Sequence, residues 1–236
     1  MFRKKNEPVS AVLVAGGKGE RMGGEIPKQF REVMGKPVLA YTIHALSACP
    51  EISEIIIVTL GDYLVFCKDL VDEFRFHKVS KIICGGKQRQ DSVYNGLLEL
   101  SEDVRYVAVH DGVRPLVEPG IVSACIAAAK QYGAAAAAVK SKDTVKLADK
   151  EQMITATADR ESLWFVQTPQ VFERELLLEA HRRAISEQVK ATDDCMLVER
   201  LGHPIKLVEG NYENLKITTP QDLFIMEGLL NGDEVD

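Results

Sequence analysis

The chain has 236 residues, which suits one large α/β domain or one domain with a small appendage and is ample for a full hydrophobic core. Composition is that of an ordinary globular protein, 46% hydrophobic and 27% charged, and the net charge of −6 argues against a general nucleic-acid binder, which carries a basic face. The longest small-apolar stretch, Gly133 to Val139, is too short to span a bilayer, and Met1 to Pro8 is basic and polar without an apolar signal core, so a cytoplasmic protein with no membrane partner is expected.

Short β-branched runs alternate with stretches of helical period. Buried strands are predicted at 11–15, 55–59, 81–84, 106–110 and 134–139, with helices over 38–48, 62–74, 89–100 and 119–132. That alternation is the pattern of βαβ units and a largely parallel sheet, whose ligands bind at the carboxyl ends of the strands. The pattern breaks at 141–157, where weak alternation at 144–147 and 153–156 flanks a tip at Asp149-Lys150-Glu151 and reads as a hairpin. A two-stranded ribbon is marginal alone in water, so this one should pack on its own domain or on a second subunit. The α/β style then resumes, with helices over 173–186 and 193–201, strands at 205–208 and 214–217, and a last helix over 220–230.

The first loop carries the strongest signal. The apolar run Val12 to Ala15 stops at a segment with five glycines from Gly16 to Gly24, with Arg21 on it and Lys28 just beyond. Glycines bring backbone N–H groups close to oxyanions, and fixed cations beside them suit a triphosphate whose charge grows at the leaving group. Two familiar motifs fit badly. Gly17-Lys18 is followed by Gly19 rather than the Ser or Thr of a Walker loop, and the third position of a dinucleotide fingerprint is Met22.

Four further clusters fall where strands meet loops. Gly85-Gly86 with Asp91-Ser92 opens a helix, and suits either an anion or an ordinary capped turn. His110-Asp111-Gly112-Val113-Arg114-Pro115 follows a strand. Its Asp111 could hold Mg²⁺, bind sugar hydroxyls or simply pair with Arg114, while His110 is given no role. Asp159-Arg160, Leu163-Trp164 and Gln167-Thr168-Pro169-Gln170 make the third cluster. In the fourth, Lys216 interrupts an apolar strand end, either to meet an anionic ligand or to snorkel. The five cysteines are scattered without a C-x-x-C pair, so no disulfide frame or zinc site is supported, and Cys84 and Cys125 read as small core residues.

Together these motifs carry a resemblance. Ala15-Gly16-Gly17-Lys18-Gly19-Glu20-Arg21-Met22-Gly23 with Pro27-Lys28-Gln29, then Gly86 through Asp91-Ser92-Val93, then His110-Asp111 with Arg114-Pro115 occur in order. Lys142-Asp143-Thr144, Asp159-Arg160 with Leu163-Trp164, Gln167-Thr168-Pro169-Gln170 and Asn214-Leu215-Lys216-Ile217-Thr218 complete the set. The chain resembles the 2-C-methyl-D-erythritol 4-phosphate cytidylyltransferases from Val9 to Leu229, with Val14 in place of a frequent alanine, a change expected to affect packing only.

The resemblance implies an α/β fold, a mostly parallel Rossmann-like nucleotidyltransferase sheet with helices on both faces and a protruding β-hairpin arm. It implies a single domain over 1–236 with a dimerisation arm at about 140–163. CTP and the polyol phosphate would be the substrates, with Mg²⁺ bound mainly through the CTP phosphates. Carried over, Arg21 and Lys28 stabilise the triphosphate in the transition state, and Arg160 and Lys216 position the acceptor phosphate. Asp111, Arg114, Thr144, Thr168 and Thr192 line the acceptor pocket, and Ala15, Gly16, Gly17, Gly86, Ser92 and Gly112 surround the cytidine. The family's homodimer would exchange arms, placing Thr144 and Arg160 in the neighbour's pocket. A ribitol-5-phosphate cytidylyltransferase is the nearest rival, but Asp91-Ser92-Val93 and Asp159-Arg160 with Leu163-Trp164 favour the erythritol enzymes. A non-catalytic nucleotide-binding sensor is the rival of another class, and the presence of both Arg21 and Lys28 favours an enzyme.

Overall fold

Alternation along the first strand sets the layout. In the computed structural model, which describes residues 7–17 and 26–232, β1 (Val9–Ala15) turns Ala11, Leu13 and Ala15 into one apolar layer and Val12 into another. The strand is therefore covered on both faces, as parallel strands require. A short ribbon follows, β2 (Glu32–Val33) with β3 (Lys36–Pro37), and then α1 (Val38–Ala48). β4 (Ile52–Thr59), α2 (Leu64–Glu73), β5 (Val79–Cys84), α3 (Arg89–Leu98), β6 (Tyr106–Asp111), α4 (Pro119–Tyr132) and β7 (Ala134–Lys140) continue the alternation. The hairpin is β8 (Lys146–Ala148) and β9 (Ile154–Thr157), and β10 (Trp164–Glu173), α5 (Arg174–Ser186), α6 (Asp194–Glu199), β11 (Lys206–Glu209) and α7 (Pro220–Gly232) complete the chain.

Seven strands form one sheet in the order β11-β7-β10-β6-β1-β4-β5. All neighbours are parallel except where β10 runs antiparallel to both β6 and β7. Helices α1, α2 and α4 bury their apolar stripes on one face, and α3, α5 and α6 on the other. A third small cluster, Val33, Val38, Val113, Ile217 and Met226, seats α7. The chain leaves β1 toward β4 on one side and later returns to β6 on the other, so the order reverses beside β1, and the carboxyl ends of β1 and β6 lie in register there, Val14 opposite Asp111.

Three sequence expectations need correction. β10 is a full strand where only loops and the start of a helix are predicted. Proline normally argues against a central strand, because it cannot donate to a ladder. Here β10 pairs with β7 at Trp164–Val166 and again from Gln170, and with β6 only from Gln170, so Pro169 sits in a gap that neither ladder crosses. The predicted strand at 214–217 is a loop: Ile217 gives its N–H to the Val113 carbonyl, and no ladder forms. Cys84 is exposed, unlike the buried Cys125, because it ends the edge strand β5.

Helix α3 lies so close to the sheet that its Gly96 has no room for a side chain; a Cβ there would come within 2.5 Å of Val12 Cγ1 and 3.1 Å of Val58 Cγ2. Helix propensity alone predicts that Gly96→Ala stabilises by about 1 kcal/mol. Overpacking of a filled core costs about 1–3 kcal/mol and should win. Urea denaturation of Gly96→Ala should therefore show a net loss of stability, and an unchanged or raised midpoint would contradict this packing.

Candidate active site

The site begins with a clamp on the loop after β1. Residues 28–30 form a 3-10 turn, and the buried Gln29 side chain gives its Nε2 hydrogens to the carbonyls of Ala15 (2.7 Å) and Gly17 (3.0 Å). The next residue, Phe30, stacks on Tyr63 with ring centroids 4.3 Å apart. Lys28 thus stands on a turn held from both sides, and it lines a cavity of about 680 Å³. Arg21, with the rest of 18–25, lies outside the described residues.

The second glycine turn folds back on the start of α3. A Cβ on Gly86 would overlap Asp91, and one on Gly85 would come within 2.6 Å of Ser92 Oγ, so both positions need glycine. The Ser92 hydroxyl accepts from the Gly86 N–H and donates to the Gln88 carbonyl, while the Asp91 carboxylate accepts from the Gln88 N–H. The turn is capped as an ordinary helix start, and Gly86 and Ser92 also line the cavity with Ala15, Gly16 and Gly17. Val14 lines it as well as packing on the core, which is more than the packing role expected of it.

Asp111 is the centre of the charge arrangement. It ends β6 with little exposure, and its carboxylate meets Lys216 Nζ at 2.7 Å, Arg89 Nε at 3.0 Å and Arg114 Nε at 3.9 Å. Burial alone would raise its pKa, but the charges of Arg89, Lys216 and Arg114 outweigh burial and hold the carboxyl well below its usual range. Arg89 also reaches Asp194 at 2.7 Å. Its own burial opposes its charge, yet Asp194 and Asp111 together leave the guanidinium more firmly protonated than usual. Three cations against two carboxylates leave a positive surplus beside the cavity, suited to an anionic ligand.

Other expected residues act behind the wall or away from it. Asp111 gives its N–H to Thr168 Oγ1 (3.1 Å), and Arg114 Nη1 donates to the Asn214 carbonyl (2.7 Å). The buried Asn214 side chain donates to Gln167 Oε1 and to the Thr168 carbonyl. Gly112 is packed under β1, with its N–H on Val14 and its carbonyl accepting from Thr42. Thr192 is exposed near the start of α6, and Thr144 and Arg160 are exposed on or beside the hairpin; none of the three lines this chain's cavity.

The family description 2-C-methyl-D-erythritol 4-phosphate cytidylyltransferase matches residues 9–232. The chain belongs to that family. Relatives bearing the same name include one from Clostridium botulinum, 46% identical over 94% of this chain and 96% of its own length, and one from Caldanaerobacter subterraneus, 48% identical over 93% and 97%. Among solved structures, a 4-diphosphocytidyl-2C-methyl-D-erythritol synthase from Anaerococcus prevotii superposes with a TM-score of 0.87 at 31% identity, covering 96% of this chain and 97% of that one. A cytidylyltransferase of the same name from Thermus thermophilus gives 0.77 at 33% identity, covering 93% and 98%.

Sequence reasoning missed Arg89 and Asp194. A signal existed for the first, since a cation at the first residue of a helix opposes the helix dipole and calls for carboxylate partners. No signal marked the second, which lies 105 residues away from Arg89 in the chain.

His110 supplies a pH test. It is wholly buried, its Nε2–H donates to the Arg114 carbonyl (3.2 Å), and burial pulls its pKa down to about 4 from 6.5. Between those values the unfolded chain binds a proton that the folded one does not, so stability falls as pH drops from about 6.5 toward about 4. Urea midpoints across that window should fall with pH, and His110→Gln, which keeps a donor but cannot protonate, should flatten the slope. An unchanged slope in that variant would remove His110 as its source.

Proposed function

We propose that this chain transfers the cytidylyl group of CTP to 2-C-methyl-D-erythritol 4-phosphate, releasing pyrophosphate, in non-mevalonate isoprenoid biosynthesis. The observation that carries the reading is that Lys28, Lys216 and the two glycine turns line one cavity at the carboxyl ends of β1 and β6. An acceptor phosphate oxygen forms a bond to the α-phosphorus of CTP as the bond from that phosphorus to the bridging oxygen of pyrophosphate breaks. A phosphate monoester is already anionic at neutral pH, so no protein base is needed, and neutral, buried His110 is not one. Lys28 and Arg21 take up charge on the triphosphate, Lys216 and Arg160 orient the acceptor phosphate, and the glycine turns receive the nucleotide.

Magnesium fits this site as a companion of the nucleotide. Among the described residues no group of three His, Cys, Asp or Glu could cage an ion, and both oxygens of Asp111 already meet cations. Magnesium commonly keeps several waters and binds through substrate phosphates, where it would neutralise the departing pyrophosphate. No described helix is long and apolar enough to cross a membrane, and we read the protein as cytoplasmic.

The arm points to a shared site. Leu147, Met153 and Ile154 on the hairpin and Phe165 and Val166 on β10 are large apolar side chains left exposed, an arrangement that suits packing against a second copy. Thr144 and Arg160 would then serve the partner's cavity in a homodimer with exchanged arms.

Two outcomes test this reading. Purified protein should turn over methylerythritol phosphate far faster than ribitol 5-phosphate with CTP and Mg²⁺. Lys28→Ala should lower kcat about a hundredfold at near-native melting temperature, as loss of a transition-state stabiliser does. Full activity in that variant would remove Lys28 from the chemistry, and faster turnover of the ribitol ester would reassign the substrate.

For the shared site, inactive Lys28→Ala and Arg160→Ala proteins are unfolded together and refolded. Random pairing makes half of the dimers mixed, each with one intact site, so activity should recover to about a quarter of wild type. Background activity in refolded, dimeric material would place both residues in the same chain's site.

A further inference from the structure

We propose that Asp194 is a positioning residue for the acceptor side of this site, acting through Arg89 on the Asp111–Lys216 pair. Asp194 does not line the cavity, yet it is 1% exposed and ionised: burial would raise its pKa, and Arg89 and His181 more than offset that. A buried carboxylate set back from the ligand space is costly unless its partners use it. Those partners form a chain. His181 Nε2 lies 3.2 Å from one Asp194 oxygen and, against an ionised carboxylate, must be the donor. Arg89 Nη1 meets the other oxygen at 2.7 Å, Arg89 Nε meets Asp111 at 3.0 Å, and Lys216 Nζ meets the second Asp111 oxygen at 2.7 Å.

The geometry gives this chain a purpose. A guanidinium held at both edges cannot swing, and its charge is divided between two carboxylates. With Asp194 in place, Asp111 keeps enough charge to hold Lys216. With Asp194 neutral, Arg89 has one ionised partner left and competes with Lys216 for it, so the lysine loses its fixed direction. Asp194 is itself anchored: Gln170 Oε1 accepts from its N–H and that of Cys195, Gln170 Nε2 donates to Asp193, and Asp193 caps α6. Gln170, where the ladders of β10 resume, thereby sets the position of Lys216 through a path of ion pairs.

This inference rests on the cytidylyltransferase reading, and its test separates the two. In Asp194→Asn, KM for methylerythritol phosphate should rise and kcat/KM fall by about tenfold to a hundredfold, as for a small misplacement of an orienting group. CTP affinity by calorimetry should change by less than about twofold. In a Lys216→Met background the same substitution should add little, because its effect runs through that lysine. Additive losses, an unaffected acceptor KM or an equal loss of CTP affinity would each overturn the proposal. Should Asp194→Asn not fold, the wild-type protein still decides: the Arg89 Nε–H resonance should exchange slowly with water and its Nη groups should rotate slowly. A freely rotating Arg89 would overturn the clamp. If wild-type protein fails to turn over the acceptor while Arg89 is rigid, the substrate reading fails and the clamp stands.

Discussion

The buried carboxylate of Asp111 is the constraint on which the site depends. A lone ionised carboxylate at such depth would cost several kcal/mol, and it is tolerated because cations reach it from three separate segments. Arg89 comes from the first turn of α3, Arg114 from the loop after β6, and Lys216 from the loop before α7. Two of those segments are held by something else as well: α3 by its contact with Val12 and Val58, the 214–217 loop by Ile217 in the third apolar cluster and by its N–H on Val113. Removing the carboxylate would leave three like charges facing one another, so Asp111 organises the wall as much as it carries charge.

The antiparallel strand β10 makes this wall possible. Where its ladders lapse, at residues 167–169, Gln167 and Thr168 are released from sheet pairing. Their polar groups turn to other work, Thr168 fixing the Asp111 N–H while Gln167 and the Thr168 carbonyl hold Asn214. Immediately after the gap, Gln170 ties down the start of α6. A continuous strand would draw the Thr168 carbonyl into the ladder and take that acceptor away from Asn214.

This division explains what was legible in the sequence. Helices at 38–48 and 119–132 match α1 and α4 residue for residue, and the five strands predicted between 11 and 139 differ from β1, β4, β5, β6 and β7 only at their ends, because two-sided burial leaves uniform apolar runs and one-sided burial leaves a helical period. The hairpin was readable from weak alternation, although it is shorter than expected. β10 was not, since its centre is polar and broken by Pro169, and the 214–217 loop imitates a strand because Leu215 and Ile217 pack while Lys216 does not. Most residues lining the cavity were legible as loop motifs at strand ends. The ion pairs behind it were not, because Arg89 meets partners 22 and 105 residues distant, and no local spacing records such a meeting.

Lys28 and Lys216 stand on segments braced from several directions, one by Gln29 and Phe30, the other by Asp111 and Ile217. Thr144 and Arg160 stand on or beside a ribbon whose residues are almost all exposed. Phosphoryl transfer by alignment and charge alone needs its cations fixed before the substrates arrive, since no covalent step compensates for loose geometry. On the proposed reading, Lys28 and Lys216 would meet that requirement within one chain. On the same reading, the ribbon would meet it once its exposed apolar side chains, Leu147, Met153 and Ile154, are covered. In the proposed dimer, the surface that joins the two copies would also stiffen Arg160, so that assembly and catalytic competence would be a single event.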